Sequence, residues 1–381
     1  MKARRDIDLL IVDDQPPMRD TLRKMLKAGG YSKVHTASDG RQAMQIIHAS
    51  PPDAVLTDWM MPHMTGIELL KTVKSNVELF RLPVLMVTGY ASPEKVLYAA
   101  EEDVDGFIVK PVSMRALNGI LGTALQSVAN PDPIQQKYTE MKRMKLSGLF
   151  KEALDAGREI LNARPHPKAA LLACECMCEI KLYDEAIDAL EDTNEEDRTS
   201  RHSNLLGNIY HDVGKYKLAV LYLEESIKRN PLNHSRKVDL ARVYFNTDRE
   251  EDAQRLIDGV TNDDPTDLIL VEIAQLYLDR NDIEKAGACL EKTVNPIAET
   301  VHVFNNYAVA LRKAGRSGES AEIYRKCVKI APNSDILFYN LAFLQNMMGD
   351  RTGAMQSLAS SLKLNPGSEH ARRLLQIVEK N

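Results

Sequence analysis

Five short apolar runs, each followed by a stretch with helical spacing, fill the first 129 residues of the chain, and no sixth follows. The runs lie at residues 7–12, 33–36, 54–56, 83–88 and 106–110. They are rich in Val, Ile and Leu, too short for helices and bounded by turn residues, which is the pattern of buried strands. Pro16-Pro17 opens a helix through Ala28, and Gly29-Gly30 closes it. Pro suits the first helical turn, and Gly the position just past the last. Further helices are expected over 41–48, 66–74 and 93–100, and from a Ser113 cap to Val128. Strands and helices alternating in this order form a doubly wound parallel sheet, because right-handed crossovers return each strand parallel to the last. The first domain is therefore expected to be α/β and to span residues 1–129.

That topology decides which polar residues meet. Asp13 and Asp14 follow the first strand, Asp58 closes the third, Thr88 the fourth and Lys110 the fifth. A lone Asp at a strand end usually forms a turn. Here all four strand ends open onto one rim, the edge at which such sheets bind ligands. Three carboxylates brought together repel and require a cation at neutral pH. A hard ion with oxygen ligands and retained water suits them, and Mg²⁺ is the ordinary choice. Lys110 and the Thr88 hydroxyl add donors for an incoming oxyanion. A carboxylate beside Mg²⁺, faced by an ammonium and a hydroxyl, is a site for receiving a phosphoryl group by in-line transfer.

With Asp13-Asp14, Asp58 followed by Met61-Pro62 and Gly66, Thr88, and Lys110-Pro111 in this order and spacing, residues 6–128 resemble the receiver domain of two-component response regulators. The resemblance implies that Asp58 accepts phosphate from a histidine kinase or a phosphotransfer protein. It implies Mg²⁺ held by Asp13, Asp14, Asp58 and the backbone carbonyl of Met60. It also implies that Thr88 turns toward the phosphoryl group, that the Phe107 ring moves inward behind it, and that the Lys110-Pro111 bond is cis. Phe107 stands where this family more often has Tyr; the ring is kept and the hydroxyl lost. Beyond self-catalysed phosphotransfer and dephosphorylation, no enzyme activity is expected. Met60 and Tyr90 flank the path of an attacking water, and neither side chain can orient one. A phosphorylated state that outlasts minutes is the expectation.

A chain of 381 residues exceeds one ordinary domain. Ala129-Asn130-Pro131-Asp132-Pro133 breaks any helix, so residues 130–133 read as a short extended linker. Residues 1–129 hold 15 Lys+Arg and 15 Asp+Glu, so the net charge of −5 comes from the remainder. That balance argues against nucleic acid as a partner. The apolar run after Met1 is too short for a signal peptide, and none approaches the ~20 residues of a membrane span. Five cysteines do not suggest a disulfide framework. The expected compartment is the cytoplasm.

From Ile134 on, strand signals vanish and a period emerges. Pro231 and Pro265, Pro332 and Pro366, and Gly315 and Gly349 each stand 34 residues apart. Leu206-Gly207…Tyr210…Gly214…Ala219…Pro231 aligns with Leu240-Ala241…Tyr244…Ala253…Pro265, and Leu341-Ala342…Gly349…Ala354…Pro366 keeps the same frame. The period and the small–aromatic–Ala–Pro order resemble tetratricopeptide repeats, each a pair of antiparallel helices. About seven units over 134–368 are expected, starting near 134, 167, 200, 234, 267, 301 and 335. A capping helix over 369–381 is expected to follow. Gly148 holds the turn position in the first unit but Lys181 in the second.

A stack of such units offers a groove lined by the first helix of each pair. Asn204, Asn208, His211, Arg242 and Phe245 are candidates to line it in the middle units, and Asn305, Arg312, Tyr339 and Phe343 in the later ones. Amides, Arg and aromatics suit a peptide or helix of a partner protein, whose identity the sequence leaves open. Cys174, Cys176 and Cys178 cannot converge on one ion from a single helix and read as core residues. His202, His211 and His234 read as surface residues. The expected function is a signalling switch in which phosphorylation of Asp58 alters protein binding by the repeats, or self-association as a homodimer through the receiver. The alternative is a constitutive scaffold or phosphate sink.

Overall fold

The structure, a computed structural model, describes residues 2–89, 92–194, 198–263, 265–293 and 300–380. Two compact units divide the chain, Met1–Asn262 and Asp263–Asn381.

The first unit begins with strands β1 (Asp8–Val12), β2 (Lys33–Ala37), β3 (Ala54–Asp58), β4 (Val84–Thr88) and β5 (Gly106–Val109). They form one sheet in the order β2-β1-β3-β4-β5, every pairing parallel. Strand order changes direction between β1 and β3, which makes a crevice at their carboxyl ends. Helices α1 (Pro16–Ala28), α2 (Gly40–Ala49), α3 (Gly66–Ser75), α4 (Pro93–Glu101) and α5 (Met114–Ala129) connect or follow the strands. Leu22 and Leu26 of α1 and Leu117 and Leu121 of α5 pack on Leu9, Leu56, Leu85 and Ile108 in one core cluster. Leu10, Val55 and Met86 alternate with those strand residues and face the other side. Each fully buried side chain of this size contributes roughly 1.5–3 kcal/mol by leaving water.

The rest of the first unit is helical: α6 (Pro133–Leu146), α7 (Phe150–Ala163), α8 (Pro167–Glu179), α9 (Tyr183–Glu191), α10 (Ser200–Asp212), α11 (Tyr216–Arg229), α12 (His234–Phe245) and α13 (Glu250–Thr261). The Asp132 carboxylate caps α6 by accepting from the Ile134 and Gln135 amides, so the Pro-rich link turns directly into a helix. The second unit holds α14 (Asp267–Asp279), α15 (Ile283–Lys292), α16 (Val301–Lys313), α17 (Ser317–Ile330), α18 (Asp335–Met347), α19 (Arg351–Leu364) and α20 (Glu369–Lys380). Ala371, Leu374 and Val378 of α20 are buried and pack with Ala354 and Leu358 of α19.

The helical pairs share one turn geometry. Gly148, Lys181, Gly214, Asp248, Asn281, Gly315 and Gly349 all have φ between 57° and 80° at equivalent places in successive pairs. A left-handed residue there reverses the chain in two or three residues. Ala153, Ala186, Ala219, Ala253, Ala286 and Ala354 are completely buried early in the second helix of their pairs. Gly207 lies so close to Leu223 that a Cβ would overlap it, which shows how tightly α10 and α11 approach.

Phe245 departs from the expected groove lining: it is buried, 6% exposed, and so is Asn204 at 8%. His202 is likewise not a surface residue. It is 5% exposed, and its Nδ1 accepts from the Thr199 amide at 3.1 Å, closing the start of α10.

Candidate functional site

The strand-end rim is built by β1, β3, β4 and β5. Asp13 directly follows β1 and is 1% exposed, whereas Asp58, the last residue of β3, is half-buried. Thr88 closes β4 and is buried, and its carbonyl accepts the Lys110 amide at 2.8 Å. That bond, with Thr88 in register with Val109, brings Lys110 back over the rim. The Lys110 ammonium donates to Asp58 Oδ1 at 2.7 Å and to Asp13 Oδ2 at 3.0 Å. Burial opposes its charge, but the bonds to Asp58 and Asp13 outweigh that and hold its pKa above the ordinary lysine value. The second oxygen of Asp13 accepts the Gln15 amide at 2.9 Å, and that of Asp58 accepts the Met60 amide at 3.2 Å. The Lys110-Pro111 bond is cis.

Two local features hold Asp58 in place. Gly66 opens α3 against the strand end, and a Cβ there would overlap the Asp58 carbonyl oxygen. Its amide donates to the Trp59 carbonyl at 2.9 Å, which closes the loop. His63, inside that loop, has φ 66°.

The expected convergence of three carboxylates is only partly present. Asp13 and Asp58 meet through Lys110, but Asp14 is exposed, one residue further past the buried strand. Among the described residues, no three His, Cys, Asp or Glu side chains group closely enough to enclose an ion by themselves. The ammonium has taken up the charge that separate carboxylates would otherwise share. Two carboxylates that already accept one cation form a donor set suited to Mg²⁺, which keeps several waters and uses one or two carboxylates. Phe107 lies on β5, half-buried and paired with Met86. Met60 is 58% exposed. Tyr90 lies outside the described residues.

The proposed groove residues take up specific contacts. Asn204 and Asn208 donate to Asp239 at 3.2 and 3.5 Å, and Arg242 donates to the other oxygen of the same carboxylate at 3.0 Å. Asn305 accepts from Asn340 at 2.9 Å, and the Arg312 guanidinium stacks 4.7 Å from the Phe343 ring centre. Tyr339 and Phe343 pack partly against the α19–α20 core. Cys174 and Cys176 are buried on α8, and burial pushes their thiols up to about 12 and about 11.

The sequence reading missed a second polar site. Trp59, next to Asp58, meets Tyr98 of α4 edge-on at 6.2 Å. One turn further along α4, Glu101 has a 4% exposed side chain. Glu101 Oε1 accepts from Ser200 Oγ, and Oε2 from Asn230 Nδ2, both at 2.6 Å. Asp103, with φ 60°, accepts from Lys142 at 2.6 Å and from Lys168 at 2.7 Å. Burial alone would raise the Asp103 carboxyl, but these two ammonium groups hold it well below the usual carboxylate range. The only sequence sign of this site was the short acidic run Glu101-Glu102-Asp103, which reads more simply as a solvated helix end.

Residues 9–121 match the response regulator receiver domain, and residues 210–272 and 301–334 match tetratricopeptide repeats. The chemotaxis protein CheY of Pseudomonas aeruginosa is 40% identical over 109 residues, covering 29% of this chain and 88% of that protein. CheY-3 of Vibrio cholerae is 40% identical over 113 residues, covering 30% of this chain and 87% of that protein. A solved structure of Vibrio cholerae chemotaxis protein CheY4 is 33% identical and covers 31% of this chain and 98% of its own, with a TM-score of 0.30. Among the described residues, no helix is long and apolar enough to cross a membrane. With the parallel five-stranded sheet, the Asp13–Lys110–Asp58 rim and these matches together, the chain belongs to the response regulator receiver family and carries tetratricopeptide repeats after its receiver domain.

Proposed function

We propose that this protein is a cytoplasmic phosphorylation-gated binding protein, in which Asp58 receives a phosphoryl group from a histidine kinase or phosphotransfer protein. The observation that carries the reading is the sharing of one ammonium, that of Lys110, by Asp13 and Asp58 at the mouth of the parallel sheet. A carboxylate oxygen of Asp58 attacks phosphorus in line. The new P–O bond forms as the bond to the donor nitrogen breaks, and the nitrogen keeps the electron pair. Asp13, Asp14, Asp58 and the Met60 carbonyl would hold Mg²⁺, which supplies charge neutralisation at the phosphoryl oxygens. Lys110, with its pKa raised, stays cationic and passes from the carboxylate pair to the phosphoryl oxygens. The Thr88 hydroxyl adds a second donor, and the Phe107 ring follows it inward. Nothing in this scheme calls for an enzyme activity beyond the chain's own transfer and hydrolysis.

Gating runs through α4. Trp59 packs on Tyr98, and Tyr98 stands one turn before Glu101, which the repeats hold. A change at Asp58 that moves Trp59 or Thr88 therefore strains the contact between α4 and the repeats.

The test is to incubate the full chain with Mg²⁺ and a small acyl phosphate, and to read intact mass and amide hydrogen exchange. One added phosphoryl group, absent in Asp58→Asn, with faster exchange across residues 93–103, is the expected result. Incorporation with unchanged exchange would reduce the protein to a scaffold or phosphate sink. No incorporation at all would remove Asp58 as acceptor.

A further inference from the structure

The receiver does not merely rest against the first repeats; a single turn of it is gripped by three successive helical pairs. Lys142 comes from α6, Lys168 from α8, Ser200 from α10, and Asn230 directly follows α11. Together these residues supply a donor to each of the four carboxylate oxygens of Glu101 and Asp103. Arg201 Nη1 donates to the Glu101 carbonyl at 3.1 Å, one of the acceptors at the end of α4, and Arg236 Nη2 stands 3.8 Å from Glu101 Oε2. Side-chain recognition of two carboxylates plus a helix-end carbonyl is the way one protein reads an acidic segment of another.

One donor on the repeat side, Arg236 Nε, has no hydrogen-bond partner. A cavity of ≈ 370 Å³ lies beside the turn, lined in part by Lys142, Lys168, Arg201, Asn233 and Arg236. Arg236, whose side chain is 11% exposed, is also the residue that stands nearest Glu101 from the fourth helical pair. A buried polar atom left without a partner is destabilising, and a ligand that supplies the partner is favoured there. Glu101, Glu102, Asp103 and Glu175 line the same cavity from the acidic side.

We infer that the inner face of the first four helical pairs is a binding site for an acidic peptide segment of a partner protein, and that the receiver's own Glu101–Asp103 turn occupies it as a built-in competitor. The occupant is a run with two or three carboxylates at a helix end, because that is the chemistry the cradle already satisfies. The inference rests on the reading that the repeats bind protein; it adds where, and what kind of segment. It also gives gating a direct meaning: loosening α4 frees the cradle.

The test needs no phosphoryl donor, so its failure is distinct from failure of the switch. The probe is a synthetic peptide with the sequence of residues 96–105, titrated against full-length protein by fluorescence anisotropy. Glu101→Gln with Asp103→Asn keeps the shape of the turn and removes its charge. This double variant should bind the peptide roughly tenfold or more tightly than the parent chain. Adding Lys142→Ala and Lys168→Ala should abolish the gain. A control peptide with Gln and Asn at its acidic positions should not bind. Equal affinity of the parent and the double variant, with native circular dichroism for both, would overturn the inference. So would binding of single-stranded DNA in preference to the peptide, which would mark an unselective cationic surface.

Discussion

Two polar sites in the first unit use the same elements, carboxylates met by lysines, and reach opposite ends. At the strand rim, Asp13 and Asp58 share a single lysine, and Asp58 and Lys110 keep 15% and 18% of their side chains exposed. At the α4 corner, the Glu101 side chain is 4% exposed and every carboxylate oxygen of Glu101 and Asp103 has its own donor. At the rim all four carboxylate oxygens accept a hydrogen bond, but two of them share one ammonium and the other two take backbone amides. At the corner each oxygen has a side-chain donor of its own, and only Glu101 is closed off, since Asp103 keeps 18% and Lys168 60% of the side chain exposed. The neighbouring Glu175 makes the same point: burial would raise its carboxyl, yet Arg201 and Lys145 at 2.6 and 2.5 Å hold it below the usual range.

The comparison predicts that the two sites fail differently. Glu101→Ala leaves Ser200, Asn230 and Arg236 facing a buried void and should lower stability by roughly 2–5 kcal/mol. Trp59, the single tryptophan, reports this in a urea titration of the full chain by fluorescence. A loss below about 1 kcal/mol would mean that the corner is no better held than a surface pair. Gly66→Ala should come next, at roughly 1–3 kcal/mol, because its methyl group must displace the Asp58 carbonyl. The same variant should also slow phosphoryl incorporation, and unchanged incorporation would break the link between that loop and the acceptor.

The effect of acid sharpens the contrast. The folded-state pKa of Asp103 is depressed, so its contribution is complete above the ordinary aspartate value near pH 4. It is lost only as the pH falls through the lower folded value. Lys142 and Lys168 face it, with Arg201 and Tyr138 nearby. Stability of the parent chain should therefore fall more steeply below about pH 4 than that of Asp103→Asn. Parallel slopes would show that Asp103 carries no such linkage. The smallest effect belongs to the repeats. Lys181 has φ 63° where Gly148, Gly214, Gly315 and Gly349 stand in other pairs. Lys181→Gly should raise stability by about 0.5–1 kcal/mol in the same titration, since glycine occupies that region without a Cβ clash.

Much of the fold was legible because it is written in local periods. The strand runs end where the β-strands end, within a residue or two, and the helical pairs begin at or within one residue of the places the 34-residue spacing indicates. Turn glycines marked four of the left-handed positions; Asp248 and Asn281 hid two more, because Asp and Asn tolerate that conformation and are common elsewhere. The rim was legible because parallel topology sends every strand end to one edge. Its details were not: the exposure of Asp14 and the bridging position of Lys110 depend on loop paths that no period records. Phe245 and His202 were misjudged for a related reason, since the burial of each is set by what packs against its helix.

The amino-acid order alone determined a parallel sheet with an aspartate at its mouth, followed by paired helices, because backbone propensity and apolar spacing act over a few residues at a time. Only the tertiary structure decided that Glu101 and Asp103 would be held by donors from three helical pairs. Those donors lie between 39 and 129 residues away along the chain. Whether a carboxylate ends in water or in a cradle is set by what folds against it, and that is a property of the packed chain.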